Sequence, residues 1–122
     1  MTTQEVANKL VEYCRTGDWD KATAELYSPN AVSIEMPGQE GFPERVEGME
    51  AIAKKGEMWN SMVEEFHGIE VSDPIVAGDH FSCTMAMDIT MKGAPRKKDP
   101  ELCVYRVADG KIVSEQFFYP IG

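Results

Sequence analysis

Histidine is scarce in this chain of 122 residues. His67 and His80 stand alone, and no second histidine or carboxylate completes metal-ligand spacing around either. Both read as structural or exposed, no metal site is expected, and no Ser-His-Asp arrangement is suggested. Cysteine is also sparse. Cys14, Cys83 and Cys103 are odd in number, widely spaced and free of any CxxC pattern, so they read as reduced thiols of a cytoplasmic protein, with a Cys83–Cys103 disulfide disfavoured there. No apolar run approaches the roughly 18 residues of a spanning helix. The start "MTTQEVANK" lacks a basic segment followed by an apolar one, so no signal peptide is expected. "GQEGFPERVEG" lacks the lysine and the strand-loop-helix context of a phosphate loop. Repeats and low-complexity segments are absent. Basic residues are outnumbered, 12 against 21 acidic, for a net charge of −9. That balance repels a phosphate backbone and an anionic membrane surface, so neither nucleic acid nor membrane is an expected partner.

What is present describes one α+β domain over residues 1–122, with helices first and a mainly antiparallel sheet after. Thr2 and Glu5 form a capping-box pattern before a helix over about 3–15, with Val6, Leu10, Tyr13 and Cys14 at helical spacing and Gly17 ending it. Asp18 is placed to cap a second helix through Trp19, Ala22 and Leu26, stopped by "SPN" at 28–30. "AVSIEM" (31–36) reads as a short strand and 37–48 as a loop. A third helix covers about 49–63, with Ile52, Gly56, Trp59 and Val63 on one stripe and Lys54, Lys55 and Glu57 largely off it. A strand segment over about 64–77 carries Pro74, which implies an edge or bulge. The strongest strand pattern follows, where Phe81, Cys83, Met85, Met87, Ile89 and Met91 alternate with mostly polar residues. "KGAPRKKDP" reads as a connection with "RKK" at a solvated tip, and "ELCVYRV", "ADGK" and "IVSEQFFYP" as a closing hairpin with Asp109-Gly110 at its turn.

The segments "GDWDKATAELYSPNAVSIEMPG" (17–38), "VEGMEAI" (46–52) and "CVYRVADGKIVSEQFFY" (103–119) resemble the nuclear transport factor 2-like superfamily, in its SnoaL-like and ketosteroid-isomerase-like branch. The resemblance spans nearly the whole chain and is specific for fold, while the fold hosts isomerases, cyclases, hydrolases and non-catalytic binders. It implies a cone: a strongly curved sheet wrapped around three N-terminal helices, with a deep apolar pocket between them. It also implies frequent homodimerisation through the outer sheet face.

Laying "AVSIEMPG" on the ketosteroid isomerases places Glu35 where they carry the carboxylate that moves a proton next to a carbonyl. As a plain strand residue, Glu35 would instead lie on a solvent face beside Ser33. The isomerases' tyrosine and protonated aspartate do not transfer. Their positions fall on Leu10, with Tyr13 one turn away, and on Cys103, whose thiol is a weak donor. Period two puts Glu101, Cys103 and Tyr105 on one strand face, and Glu115, Phe117 and Tyr119 on another, and the resemblance turns both toward the pocket. There Glu101 and Glu115 would raise each other's pKa and supply an acid; otherwise they point into water or pair with Lys111 or Arg106. Tyr13, Trp59, Met85, Met87, Cys103, Phe117 and Tyr119 are the expected lining. The Arg and Asp two apart of the epoxide-hydrolysing branch are missing, since Ala86 precedes Asp88. The expectation is cofactor-independent isomerase, cyclase or hydratase chemistry on a small apolar or carbonyl-containing molecule, with Glu35 as base and Glu101 and Glu115 as acids. The rival is a non-catalytic ligand-binding or dimerisation module.

Overall fold

The computed structural model describes residues 1–39 and 41–120. Among these the chain forms three helices and seven strands. Helix α1 (Thr3–Thr16) starts at the expected capping box: Thr2 Oγ1 accepts from the Glu5 amide and Glu5 Oε1 accepts from the Thr2 amide. It ends at Gly17, whose φ of 74° supplies the left-handed cap. Its stripe of Val6, Ala7, Leu10, Val11 and Cys14 is buried. Helix α2 (Trp19–Leu26) buries Ala22 and Leu26. Asp18 precedes it without a side-chain cap bond, because its carboxylate accepts from Thr16 Oγ1 at 2.7 Å.

Strand β1 (Tyr27–Ile34) begins directly after α2, earlier than the expected residue 31, and ends before Glu35. Pro29 falls where the register between β1 and its parallel neighbour shifts, between Tyr27 and Val32, so its missing N–H breaks no ladder bond. The expected loop contains a short strand, β2 (Arg45–Glu47), antiparallel to β1. Two strands therefore precede helix α3 (Met49–Met62), and the order is not helices first throughout.

The segment expected as one strand is two, β3 (Val63–Val71) and β4 (Ile75–Ala77), with Pro74 in the break. Both pair with β5 (His80–Met91), which shows the expected alternation, with Phe81, Cys83, Met85 and Ile89 buried. Strand β6 (Lys97–Ala108) starts earlier than expected. Lys97 and Lys98 belong to it, and "RKK" is not a free tip: Arg96 makes a two-pronged contact with Asp88 and Lys98 pairs with Glu70 at 2.7 Å. Pro100 pairs with Ala86 on one side and lies beyond the last β6–β7 pair, Leu102 with Phe118, so no ladder partner waits for its N–H. The hairpin to β7 (Lys111–Phe118) turns at Asp109 and Gly110, with φ of 51° and 74°, as a two-residue turn between twisted strands requires.

The strand order is β2-β1-β7-β6-β5-β3, with β4 on β5, and all pairs are antiparallel except β1 with β7. Register shifts in the β1–β7, β3–β5 and β6–β7 pairings bend the open sheet around the helices, in the α+β cone arrangement that the sequence resemblance implies. Phe81 stacks on Tyr105, with ring centroids 4.7 Å apart, against α1 on the inner face. No described helix is long and apolar enough to cross a membrane.

Candidate functional site

Alternation carries Ala31 and Ser33 of β1 inward, and both are fully buried. Ser33 lies beside Glu115 of β7, which lies beside Tyr105 of β6. One row further along, Phe117 lies beside Cys103, and Cys103 beside Cys83. Glu115 is buried and doubly bonded: Tyr27 donates to Oε1, and Ser33 donates to Oε2 at 2.6 Å. The Ser33 oxygen accepts in turn from Lys55 Nζ of α3 at 2.6 Å. The same ammonium pairs with Glu35 Oε2 at 2.6 Å, and these two side chains are only 10% and 11% exposed. Tyr119, just past β7, donates to Glu35 Oε1 at 2.7 Å, and Gln39 donates to Tyr119 and to the Met36 carbonyl. A continuous hydrogen-bonded chain thus runs from buried Tyr27 to Gln39. Its hub is Lys55, which also lies 5.4 Å from the Phe117 ring centre.

Glu101 of β6 lies two residues before Cys103 on the same strand face. Its carboxylate accepts from the Cys103 thiol at 3.7 Å, a weak contact. Burial, and then the Glu35 charge, push Glu101 up to about 7. A large share of this carboxyl is therefore protonated at neutral pH. Burial also raises Glu115, against the opposing hydrogen bonds from Ser33 and Tyr27. Tyr119 is pushed up to about 12 by burial and by its bond to Glu35, so it remains a donor. The arrangement sets a carboxylate, an ammonium and a near-neutral carboxylic acid around one patch of the inner face. A base, a donor facing the carbonyl oxygen and a proton source are the kinds of group that proton transfer next to a carbonyl uses. Among the described residues no group of three or more His, Cys, Asp or Glu is arranged to hold a metal ion.

The family model of the SnoaL-like domain matches residues 1–119. The chain belongs to the SnoaL-like domain family. This SnoaL-like protein is similar to a candidate SnoaL-like polyketide cyclase from Mesorhizobium loti, at 32% identity over 98% of this chain and 100% of that one, with a TM-score of 0.88. It shares its fold with an NTF2-like protein of unknown function from Burkholderia pseudomallei, at 14% identity, 98% and 92% coverage and a TM-score of 0.82. It also shares its fold with a hypothetical protein with a ketosteroid isomerase-like fold from Catenulispora acidiphila in complex with trimethylamine, at 22% identity, 89% and 81% coverage and a TM-score of 0.71. No curated protein matches it in sequence.

In this SnoaL-like protein Glu35, Glu101, Glu115, Cys103, Phe117 and Tyr119 converge on the Lys55 cluster. The carboxylates do not take the alternative partners: Arg106 pairs with Asp79, and Lys111 donates to the Glu25 carbonyl. Met85 is packed in the core, and Met87 is half-buried beside Ile69 and Asp99. Tyr13 is held elsewhere, donating to Glu25 of α2, which also pairs with Lys9. Trp59 lines a surface depression at the far end of α3. Lys55 is a correction. Expected off the apolar stripe, it is buried. Its place three residues after Ile52 and four before Trp59 puts it on the stripe itself, which is the signal that would have found it. Ser33 shares the two-residue period of Ala31 and Glu35, whereas Tyr27 and Gln39 carried no local signal.

Proposed function

We propose that this protein binds a small, largely apolar carbonyl compound at the Glu35–Lys55–Glu101 cluster and moves a proton on it without a cofactor. The observation that carries the reading is the buried 2.6 Å pairing of Glu35 with Lys55 beside a carboxyl raised to about 7. Glu35 accepts the proton from the carbon next to the carbonyl. The electron pair of that C–H bond moves into the new C=C bond, and the carbonyl oxygen becomes an enolate oxygen facing the Lys55 ammonium. Lys55 thus takes the part that the isomerases give to a tyrosine and an aspartic acid. Return of a proton at another carbon, from Glu101 or from Glu35, gives isomerisation; attack of the enolate carbon on a second carbonyl gives cyclisation. The polyketide-cyclase name of the Mesorhizobium loti relative supports this class. The three buried free thiols fit a reducing, cytoplasmic setting.

A non-catalytic binding role is favoured by one observation: no buried side-chain polar atom among the described residues lacks a partner, so the cluster is self-sufficient as a structural device. The two readings separate in one experiment. A ligand is identified by native mass spectrometry of the purified protein and incubated with it in D₂O. The catalytic reading expects deuterium to enter the carbon next to the carbonyl, and Glu35→Gln to slow that entry about 100-fold. Binding without exchange supports the binding module, and unchanged exchange in Glu35→Gln removes Glu35 from the mechanism.

The outer sheet face supports a homodimer. Leu102 and Phe118 are cross-strand neighbours there, 43% and 42% exposed, and together offer an apolar patch for a second copy. Sedimentation is expected to give a dimer for the parent and a monomer for Leu102→Glu. A monomeric parent would end this reading.

A further inference from the structure

A groove of about 480 Å³ lies between the α1–α2 junction, the end of α3 and the start of β3. We propose that it is a binding site for a small organic cation of the quaternary or alkylated ammonium class. The inference does not depend on the catalytic reading above.

Three aromatic side chains line the groove: Trp19, Trp59 and Phe66. The two tryptophans are the only ones in the chain. Phe66 pairs with Ile89 across β3 and β5, so both project to the inner face of the sheet. Ile89 is buried there, whereas Phe66 remains 47% exposed and lines the groove. The groove's volume suits a small ligand. An aromatic ring presents a negative face, so several rings around one space attract a positive charge with apolar substituents more than a neutral body of the same shape.

The charge at the groove points the same way. Glu64 is the one ionisable side chain in its lining, and it is acidic. Among the described residues Glu64 makes no ion pair and no side-chain hydrogen bond, whereas the nearby Glu65 faces His67 and Glu70 holds Lys98. The Asn60 amide adds a polar edge without a charge. An anion would meet Glu64 and a chain of net charge −9. A neutral apolar ligand would leave the carboxylate unused. An alkylated ammonium uses both the rings and the carboxylate.

The test uses choline and 3,3-dimethylbutan-1-ol, which share a shape but differ in charge. Because both tryptophans line the groove, intrinsic fluorescence of the full chain reads it directly. Choline is expected to shift the emission saturably, and the neutral alcohol to bind about 3- to 5-fold more weakly, as cation–π contact at a solvent-open site predicts. Glu64→Gln, an exposed change that leaves the core alone, is expected to weaken choline about threefold without affecting the alcohol. Trp59→Leu is expected to lose the choline response. Equal affinity for the two probes, no saturable choline response below about 100 mM, or an unchanged Glu64→Gln would each overturn the proposal. So would self-association abolished by Phe66→Ser, which would make the groove a contact between copies of the chain.

Discussion

Lys55→Met is expected to destabilise the fold by about 3–5 kcal/mol, the range for removing one partner of a buried ion pair. The methionine fills similar space, so the loss is electrostatic rather than a cavity. Without the ammonium, Glu35 keeps only the Tyr119 hydroxyl, and the Ser33 oxygen loses its donor while its hydroxyl still donates to Glu115. Adding Glu35→Gln removes the stranded charge, so the double variant is expected to be more stable than Lys55→Met alone. The coupling between the two sites should then exceed about 1 kcal/mol in a double-mutant cycle. Urea unfolding of the four proteins measures it. The exposed pair of Lys54 with Glu50, one turn apart on the same helix, is the control, and Lys54→Met should stay within about 0.5 kcal/mol of the parent. If Lys55→Met behaves like that control, the Glu35–Lys55 pair is not held as the buried ion pair described above.

Glu101→Gln is expected to stabilise the protein at pH 8 and to flatten its pH profile. The folded-state carboxyl titrates at about 7, against an ordinary value of 4.5. Between those values the native state holds more protons than the unfolded chain, so stability falls as pH rises from about 4.5 to about 7 and levels off beyond. The displacement from 4.5 to about 7 corresponds to a loss of about 3 kcal/mol. Glu115, raised by burial, contributes with the same sign. Carboxylates held low by their partners, such as Asp79 and Asp88, act in the opposite sense and below their ordinary range, so the windows do not overlap. Urea midpoints at pH 4.5, 6 and 8 should therefore decline for the parent and decline less steeply for Glu101→Gln, which keeps Glu115. The variant and parent should converge at the acidic end. A parallel decline in both proteins would place the titrating group elsewhere.

Local chemistry made several elements legible from residues close together in the chain. The Thr2–Glu5 capping box, the Asp109-Gly110 turn and the alternation through β5 each arise within a few residues, and each is present in the fold. Boundaries fared worse where a neighbouring strand overrode a local breaker. Pro29 reads as a helix stop and Pro100 as part of a connection, yet both lie within strands, because one meets a register shift and the other extends past the end of its neighbour. In β1 the apolar positions Val32 and Ile34 are only half-buried, while Ala31 and Ser33 take the fully buried face. That face has a hydrogen-bonding partner for Ser33 only because β7 brings Glu115 alongside, and no pattern within "AVSIEMPG" contains that information.

The sequence by itself determined the fold family, the helix and hairpin punctuation, and that Glu35, Glu101 and Glu115 were the carboxylates to watch. Periodicity, capping and turn residues act over a few positions, so they can be read in order along the chain. The tertiary structure alone decided that these carboxylates share a cluster and that Lys55 sits at its hub. It joins Lys55 to Ser33 across 22 positions and Ser33 to Glu115 across 82. A lysine on an apolar stripe is tolerable only when distant partners are there to receive its charge, and those partners come together only when the open sheet bends around the helices.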